Sequence, residues 1–307
     1  MAGLAAFRRV QIGKEAVAGT PVAATAKVMG CTMDHALGSR KIVQPSDDRG
    51  SLAESFRSFT SQYDWKDALK GNATFEDILY LLRMALVGGV TPTVVDTSAY
   101  QWLYEPSLTA ANAADSCTIE FGDDAQAYQT NYAFATDLQL SGQLDAAIQM
   151  EAALAGRDLA AVTFTPALAN RTVEDARSEM TVHYSDDSGG TLGTTRLAAT
   201  VLDWTWKLPK HFVPKHRQDG SLDYLGYGEA KMAPVLDVTL ETPEAATLRA
   251  KYTSETRQLY RLICTGSKVG AATALKTIQI DGAYKITNLD KLAEKDGVDT
   301  VKLTLTG

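Results

Sequence analysis

The chain has little of what most chemistry or membrane insertion requires. No run of apolar residues approaches the roughly 20 that span a bilayer, and the opening MAGLAAFRRVQIGKE interrupts its short apolar patch with Arg8 and Arg9. Neither a signal peptide nor a membrane anchor is expected. Three cysteines, Cys31, Cys117 and Cys264, are an odd number without paired spacing, which argues against a disulfide framework and against a zinc site. They read as reduced, small core residues. Histidine is scarce as well: His35, His183, His211 and His216 form no His-Glu motif, and no serine stands in a Gly-x-Ser-x-Gly elbow. His183 alternates with Met180, Val182 and Tyr184 and is expected on a strand, facing solvent or a partner. No pair of titratable residues has a spacing that chemistry demands, so the chain is read as not an enzyme and as needing no cofactor or metal. A basic surplus is also missing, with 30 Lys and Arg against 37 Asp and Glu for a net charge of -7. That balance favours solubility and opposes non-specific adhesion to nucleic acid, and nothing in it suggests a gene regulator.

The weaker chemical signals resolve into turns. Asp47–Asp48, Asp123–Asp124 and Asp186–Asp187 lack the spaced order of a calcium loop and read as solvated turns. GTLGTT at 190–195 lacks the lysine and the strand-to-helix setting of a phosphate loop. WKLPKHFVPKHRQDG gathers Lys207, Lys210, Lys215 and Arg217 near Trp206 and Phe212, but Pro209, Pro214 and Gly220 punctuate it as a solvated hairpin or subunit contact. Trp204 and Trp206 share a strand face with Leu202 and Leu208, which makes them core or interface anchors.

What the sequence does hold is 307 residues with 45% hydrophobic content, enough for a sizeable core. In TFEDILYLLRMALVGG, Thr74 can cap, Asp77 sits where a capping box places its acid, and Phe75, Ile78, Leu79, Leu82, Ala85 and Leu86 form one stripe. The spacing predicts a helix over about 75–87, stopped by Gly88 and Gly89. A second, short helix is expected over about 243–254, with Pro243 in its first turn. Elsewhere alternation dominates, at 100–106, 116–124, 134–140, 180–184, 236–241 and the C-terminal VKLTLTG, so the fold class is mainly β with antiparallel pairing. LDAAIQMEAALAGR has a helical composition but a strand order: Leu144, Ala146, Ile148, Met150, Ala152 and Leu154 occupy every second position. Phe134, Thr136, Leu138 and Leu140 keep the same parity. A hairpin over 134–156 follows, with Leu140 opposite Leu144 across a three-residue SGQ loop and Asp137, Gln139, Asp145, Gln149 and Glu151 on the other face. Because Gly142 sits in the middle of SGQ and not at its end, a longer loop or a bulge is the alternative.

Several pieces in this order resemble the tail tube proteins, or major tail proteins, of long-tailed bacteriophages. They are the small-residue segment GKEAVAGTPVAAT, the loop RKIVQPSDDRG, the helix TFEDILYLLRMALVGGVTP with YQWLYEPS after it, TIEFGDDAQAYQTNYAFATDLQLSG, and AALAGRDL with RTVE close behind. The resemblance covers about residues 10–305. It implies a β-sandwich or barrel-like subunit with a flanking helix, six of which join long inner strands into a ring, with rings stacked into a hollow tube that conducts DNA. On this reading 1–307 is one domain with an N-terminal arm (1–30), a projecting loop (40–63) that reaches an adjacent ring through Asp47, Asp48 and Arg49, and a surface elaboration (170–234). Asp137, Gln139, Asp145, Gln149 and Glu151 are the expected channel-lining residues, because acidic and amide side chains do not hold the DNA backbone. The implied partners are further copies of the chain, a tape measure protein, tail terminator and baseplate proteins, and passing double-stranded DNA without specific binding. The implied location is the virion, after assembly in the host cytoplasm. A competing reading, a secreted or surface β-sandwich that binds carbohydrate or a receptor, requires an exposed aromatic cluster, for which Trp206, Tyr224 and Tyr227 are the candidates.

Overall fold

A computed structural model describes residues 3–46, 50, 52, 57–197, 200–295 and 297–307, with the side chains of 242–246 left aside. In chain order its strands are β1 (Arg9–Lys14), β2 (Ala26–Lys27), β3 (Cys31–Met33), β4 (Arg40–Val43), β5 (Phe59–Tyr63), β6 (Trp65–Asn72), β7 (Thr93–Asp96), β8 (Ala99–Gln101), β9 (Cys117–Gly122) and β10 (Ala127–Gln143). They continue as β11 (Gln149–Gly156), β12 (Ala160–Val162), β13 (Thr181–Asp187), β14 (Val201–Leu208), β15 (Phe212–Lys215) and β16 (Gly226–Glu229). The last are β17 (Val235–Glu241), β18 (Gln258–Lys268), β19 (Leu275–Leu289), β20 (Ala293–Lys295) and β21 (Val298–Thr306). Two α-helices, α1 (Ile78–Ala85) and α2 (Thr242–Thr253), complete a mainly β, antiparallel fold.

The principal sheet runs β3–β6–β11–β10–β14–β17–β21, every pair antiparallel, with the end of β19 and β20 on its far edge. A smaller sheet, β2–β1–β9–β10–β12, packs against it, and β13–β18–β19 forms a third. Trp65 of β6 stacks on Phe121 of β9 with ring centroids 5.6 Å apart, which joins the inner faces of the first two sheets. Leu138, Leu140, Met150, Trp204, Trp206 and Val238 project into the same core. So do Ile78, Leu81, Met84 and Ala85, the buried stripe of α1. The three cysteines are buried and unpaired, and burial pushes the Cys31 and Cys117 thiols up to about 12.

The expected helix forms, with its cap only half as drawn. Thr74 Oγ1 accepts the Asp77 N–H at 3.0 Å, but the Asp77 carboxylate turns away to accept Met29 N–H at 2.8 Å and to pair with Arg171. A buried carboxylate gains more from a cation and free amides than from returning to its own helix start.

Three expectations need correction. The first 30 residues are not wholly an arm: Val10 and Ile12 enter the core, because β1 pairs with β2 on one side and β9 on the other. The segment 170–234 is not wholly a surface elaboration, since β14 lies between β10 and β17 in the principal sheet. The hairpin forms with a different register. Leu140 opposes Met150 and not Leu144, because a longer connection carries Leu144 and Asp145 as a turn, with Asp145 at a left-handed φ of 59°.

The same hairpin contains a bulge at Thr136, where Ala135 and Asp137 pair with successive residues Leu154 and Ala153. An extra residue reverses the faces beyond it. Phe134 therefore leaves the face of Leu138 and joins Tyr132, Ala155, Phe212 and Tyr224 in a second cluster, while Ala133 and Ala135 turn to the main core. The hairpin β15–β16 covers that second cluster.

β10 also bends earlier, at Tyr132, whose φ is 53°. Glu15, nearly fully buried, holds that bend: its carboxylate accepts Tyr132 N–H at 2.7 Å, Gly19 N–H at 2.7 Å, and the hydroxyls of Ser116 at 2.7 Å and Thr118 at 3.0 Å. Glu15→Ala leaves four donors without an acceptor, so we expect a loss of about 2–4 kcal/mol of stability. A denaturation midpoint equal to that of the unsubstituted chain would contradict this assignment.

Candidate functional site: the polar face of the principal sheet

Alternation along each strand sends one set of side chains to the core and the other to a continuous outer face. Antiparallel register sets the outer residues side by side in rows. One row reads Lys70, Glu151, Gln139, Lys207 across β6, β11, β10 and β14. The next reads Asn72, Gln149, Ser141, Thr205, Asp237, Thr304 and reaches β21. A third runs Gln143, Asp203, Thr239, Lys302. Of the expected residues, Asp137, Gln139, Gln149 and Glu151 belong to this face, whereas Asp145 sits at the turn beyond the strand ends.

The face is not simply acidic and amide-rich. Lysines from neighbouring strands answer its carboxylates. Lys70 lies 3.5 Å from Glu151 and 3.6 Å from Asp34, and those two carboxylates raise its pKa. Asp237 meets Lys302 at 3.6 Å and Lys207 at 3.9 Å, and Asp203 meets Lys295 at 3.7 Å. The lysines of these pairs are exposed, so the pairs contribute little to stability. Their effect is on the field, which they bring close to neutral. Amides and hydroxyls fill the rest: Gln149 Nε2 donates to Asn72 Oδ1 at 3.0 Å and Thr304 Oγ1 to Asp237 Oδ1 at 2.8 Å. Asp137 lies at the bulge and accepts Lys210 N–H at 3.0 Å, beside a depression of about 240 Å³ floored by Leu138 and Leu208.

The hairpin expected to project is present as β4–β5, with Arg40 opposite Tyr63 and Val43 opposite Phe59. Asp47, Asp48 and Arg49 fall in its connection and lie outside the described residues.

Of the aromatic candidates for a carbohydrate site, Trp206 and Tyr224 are buried and Tyr227 is half-buried. Trp206 is 6% exposed and donates its indole N–H to Tyr284 Oη at 3.1 Å, Tyr224 is 1% exposed, and Tyr227 packs its ring on Phe212 and Phe134. Two described acidic residues of the doublets serve turns: the Asp123 carboxylate accepts the N–H groups of Ala125 and Gln126, and the Asp186 carboxylate gathers those of Gly193, Thr194 and Thr195, in the GTLGTT segment. Among the described residues no group of three or more His, Cys, Asp or Glu side chains is placed to hold a metal, and no helix is long and apolar enough to cross a membrane.

No known protein family model matches this chain, and no curated protein matches it significantly.

His183 corrects a further expectation. It faces inward at 5% exposure, with Nδ1 2.8 Å from Tyr260 Oη and its ring edge-on to Trp204. Its strand partner on β18 places it over the core, which alternation alone does not reveal. Burial lowers its pKa to about 4. A histidine kept neutral in the fold contributes stability that is fully present above its ordinary pKa of about 6.5 and is lost as pH falls towards 4. We expect His183→Gln to flatten the fall of the unfolding midpoint between those limits. An imidazole resonance of His183 titrating near 6.5 would contradict its burial.

Proposed function

We propose that this chain is a structural virion protein, a subunit of the tail tube of a long-tailed bacteriophage. Six copies close into a ring, rings stack into a hollow tube, and double-stranded DNA passes through it without specific binding. The outer face of the principal sheet is the observation that carries the reading. It is broad and continuous, and is built from hydroxyls, amides and paired charges.

A conduit for DNA must not hold its cargo. Unpaired lysines on the wall would neutralise phosphates, release counterions and make binding tight. On this face Lys70 has two carboxylates within 4 Å, Glu151 and Asp34, and Lys207 and Lys302 share Asp237, so much of their charge is already met. Gln139, Gln149, Ser141 and Thr205 offer hydrogen bonds without net charge. In the assembled tube Asp137, Gln139, Gln149 and Glu151 line the channel, with Asp145 at its rim.

The sheet edges support assembly. Among the described residues β3 ladders only with Leu69–Gly71 of β6; beside Trp65–Ala68 the segment 34–39 makes loop contacts, with Asp34 and Ala36 N–H to the Asp67 carboxylate, but forms no ladder there. Edges left open in a monomer invite pairing, which ring closure satisfies. The β4–β5 hairpin, through Asp47, Asp48 and Arg49, contacts the next ring. Tape measure, terminator and baseplate proteins complete the set of partners.

Electron microscopy of the purified chain should show rings or tubes, and monomers alone at every salt concentration would sink the proposal. Replacing Gln139 and Glu151 together by Lys should leave tubes intact and impair DNA ejection. Normal infectivity in that double variant would remove the channel-lining assignment while leaving the tube itself standing.

A further inference from the structure

A second cavity, of about 200 Å³, opens at the turn end of the principal sheet, between β13, β14 and the side chains of Arg196, Leu197 and Thr200. It lies on the opposite side of β14 from the polar face, because Trp204, which lines it, is a core-facing residue. At about 30 Å³ per water it has room for about six waters or one short organic molecule.

Its polar groups are an indole N–H, the hydroxyls of Ser178, Thr181 and Thr200, which can donate or accept, a guanidinium and a carboxylate. Trp204 is 3% exposed, and its indole Nε1–H, which can only donate, has no partner. Thr200 Oγ1 is buried and likewise unpartnered. The Thr181 hydroxyl reaches only the thiol of Cys264, a weak partner. Arg196 adds a guanidinium at the mouth, where Glu179 is the one carboxylate. His183, neutral by burial, adds no charge. Between these groups Val182, Leu197 and Leu202 supply apolar wall. A Cβ at Gly142 would stand 2.4 Å from Trp204 Nε1, so the indole relies on a glycine for its clearance.

Buried donors without acceptors cost free energy until an acceptor arrives. We infer that this cavity is a binding site for a short aliphatic carboxylate. The carboxylate oxygens accept from Trp204 Nε1–H and the Thr200 hydroxyl, Arg196 balances the charge at the mouth, and the alkyl chain lies on Val182, Leu197 and Leu202. Small pockets recognise in this way, with apolar walls and a few convergent polar groups.

The test is titration of the ¹⁵N-labelled full chain with sodium butyrate, following the indole N–H resonances, with 1-butanol and sodium chloride as controls. Trp204→Phe identifies the Trp204 resonance by its disappearance. The expected result is a saturable shift of that resonance with butyrate alone. Thr200→Val, a change that keeps the side-chain shape, should bind about tenfold more weakly, as loss of one hydrogen bond to a charged group implies. The inference is overturned by a response to butyrate that does not saturate, by an equal response to 1-butanol, or by unchanged affinity in Thr200→Val. A cavity that holds only water gives the first of these.

Discussion

The structure depends on one strand serving two sheets. β10 pairs with β9 and β12 in its first half and with β11 and β14 in its second, so it has to change direction and face between them. A regular strand cannot do this. The left-handed Tyr132 turns it and the bulge at Thr136 reverses its faces. Neither is a favourable local choice for a bulky or β-branched residue, so both persist because the surroundings over-determine them. Glu15 supplies the strongest of those constraints, from a segment 117 positions away. Tyr224 supplies another by donating its hydroxyl to the Tyr132 carbonyl, with Arg157 stacked 4.8 Å over the Tyr132 ring. The N-terminal segment and the β15–β16 region thus meet at the bend, and without it the two sheets would not close on a common core.

The bend also delimits the polar face. Beyond Thr136 the outward side of β10 is occupied by Phe134 and its aromatic neighbours under the β15–β16 hairpin. Before the turn at Asp145 it is open and polar. The outer face of β10 is therefore divided by a single inserted residue into an aromatic anchor and a stretch of wall. The lysines of that wall come from β6, β14, β20 and β21 and its carboxylates chiefly from β10, β11, β14 and β17. Charge balance is consequently a property of the assembled sheet and not of any one strand. In the proposed tube this gives a lining that neither grips nor strongly repels DNA along its length.

Much of this was legible in the sequence, and the misses have physical causes. The mainly β class, α1 and the shared core face of Leu138, Leu140, Met150 and Ala152 follow from periodicity, which survives because one face of each element is buried, whereas α2 follows from Pro243 in its first turn. The register did not follow, since parity fixes which residues share a face but not how long the connection is. Treating the hairpin in isolation gave an acidic face; Lys70, Lys207 and Lys302 are far away in sequence, and only the strand order brings them alongside. β18 and β19 are not among the expected strands, although Tyr260, Leu262 and Cys264, and then Ile278, Ile280, Tyr284 and Ile286, alternate as clearly as any strand. Glu15 lies in a run of small residues that reads as an arm, and nothing local marks it as a buried carboxylate. The same limit applies to Trp206 and Tyr224, whose bulk and polar tips suit a binding surface and an interior equally well.

The central claim is that the polar face of the principal sheet is the wall of a channel. A cryo-electron microscopy reconstruction of the assembled protein tests it most directly. The account predicts a closed ring of subunits whose lumen is lined by Gln139, Gln149 and Glu151, with Trp204 and Trp206 inside each subunit. A reconstruction that places those three side chains on the outer surface, or against another subunit with no channel beside them, would contradict it.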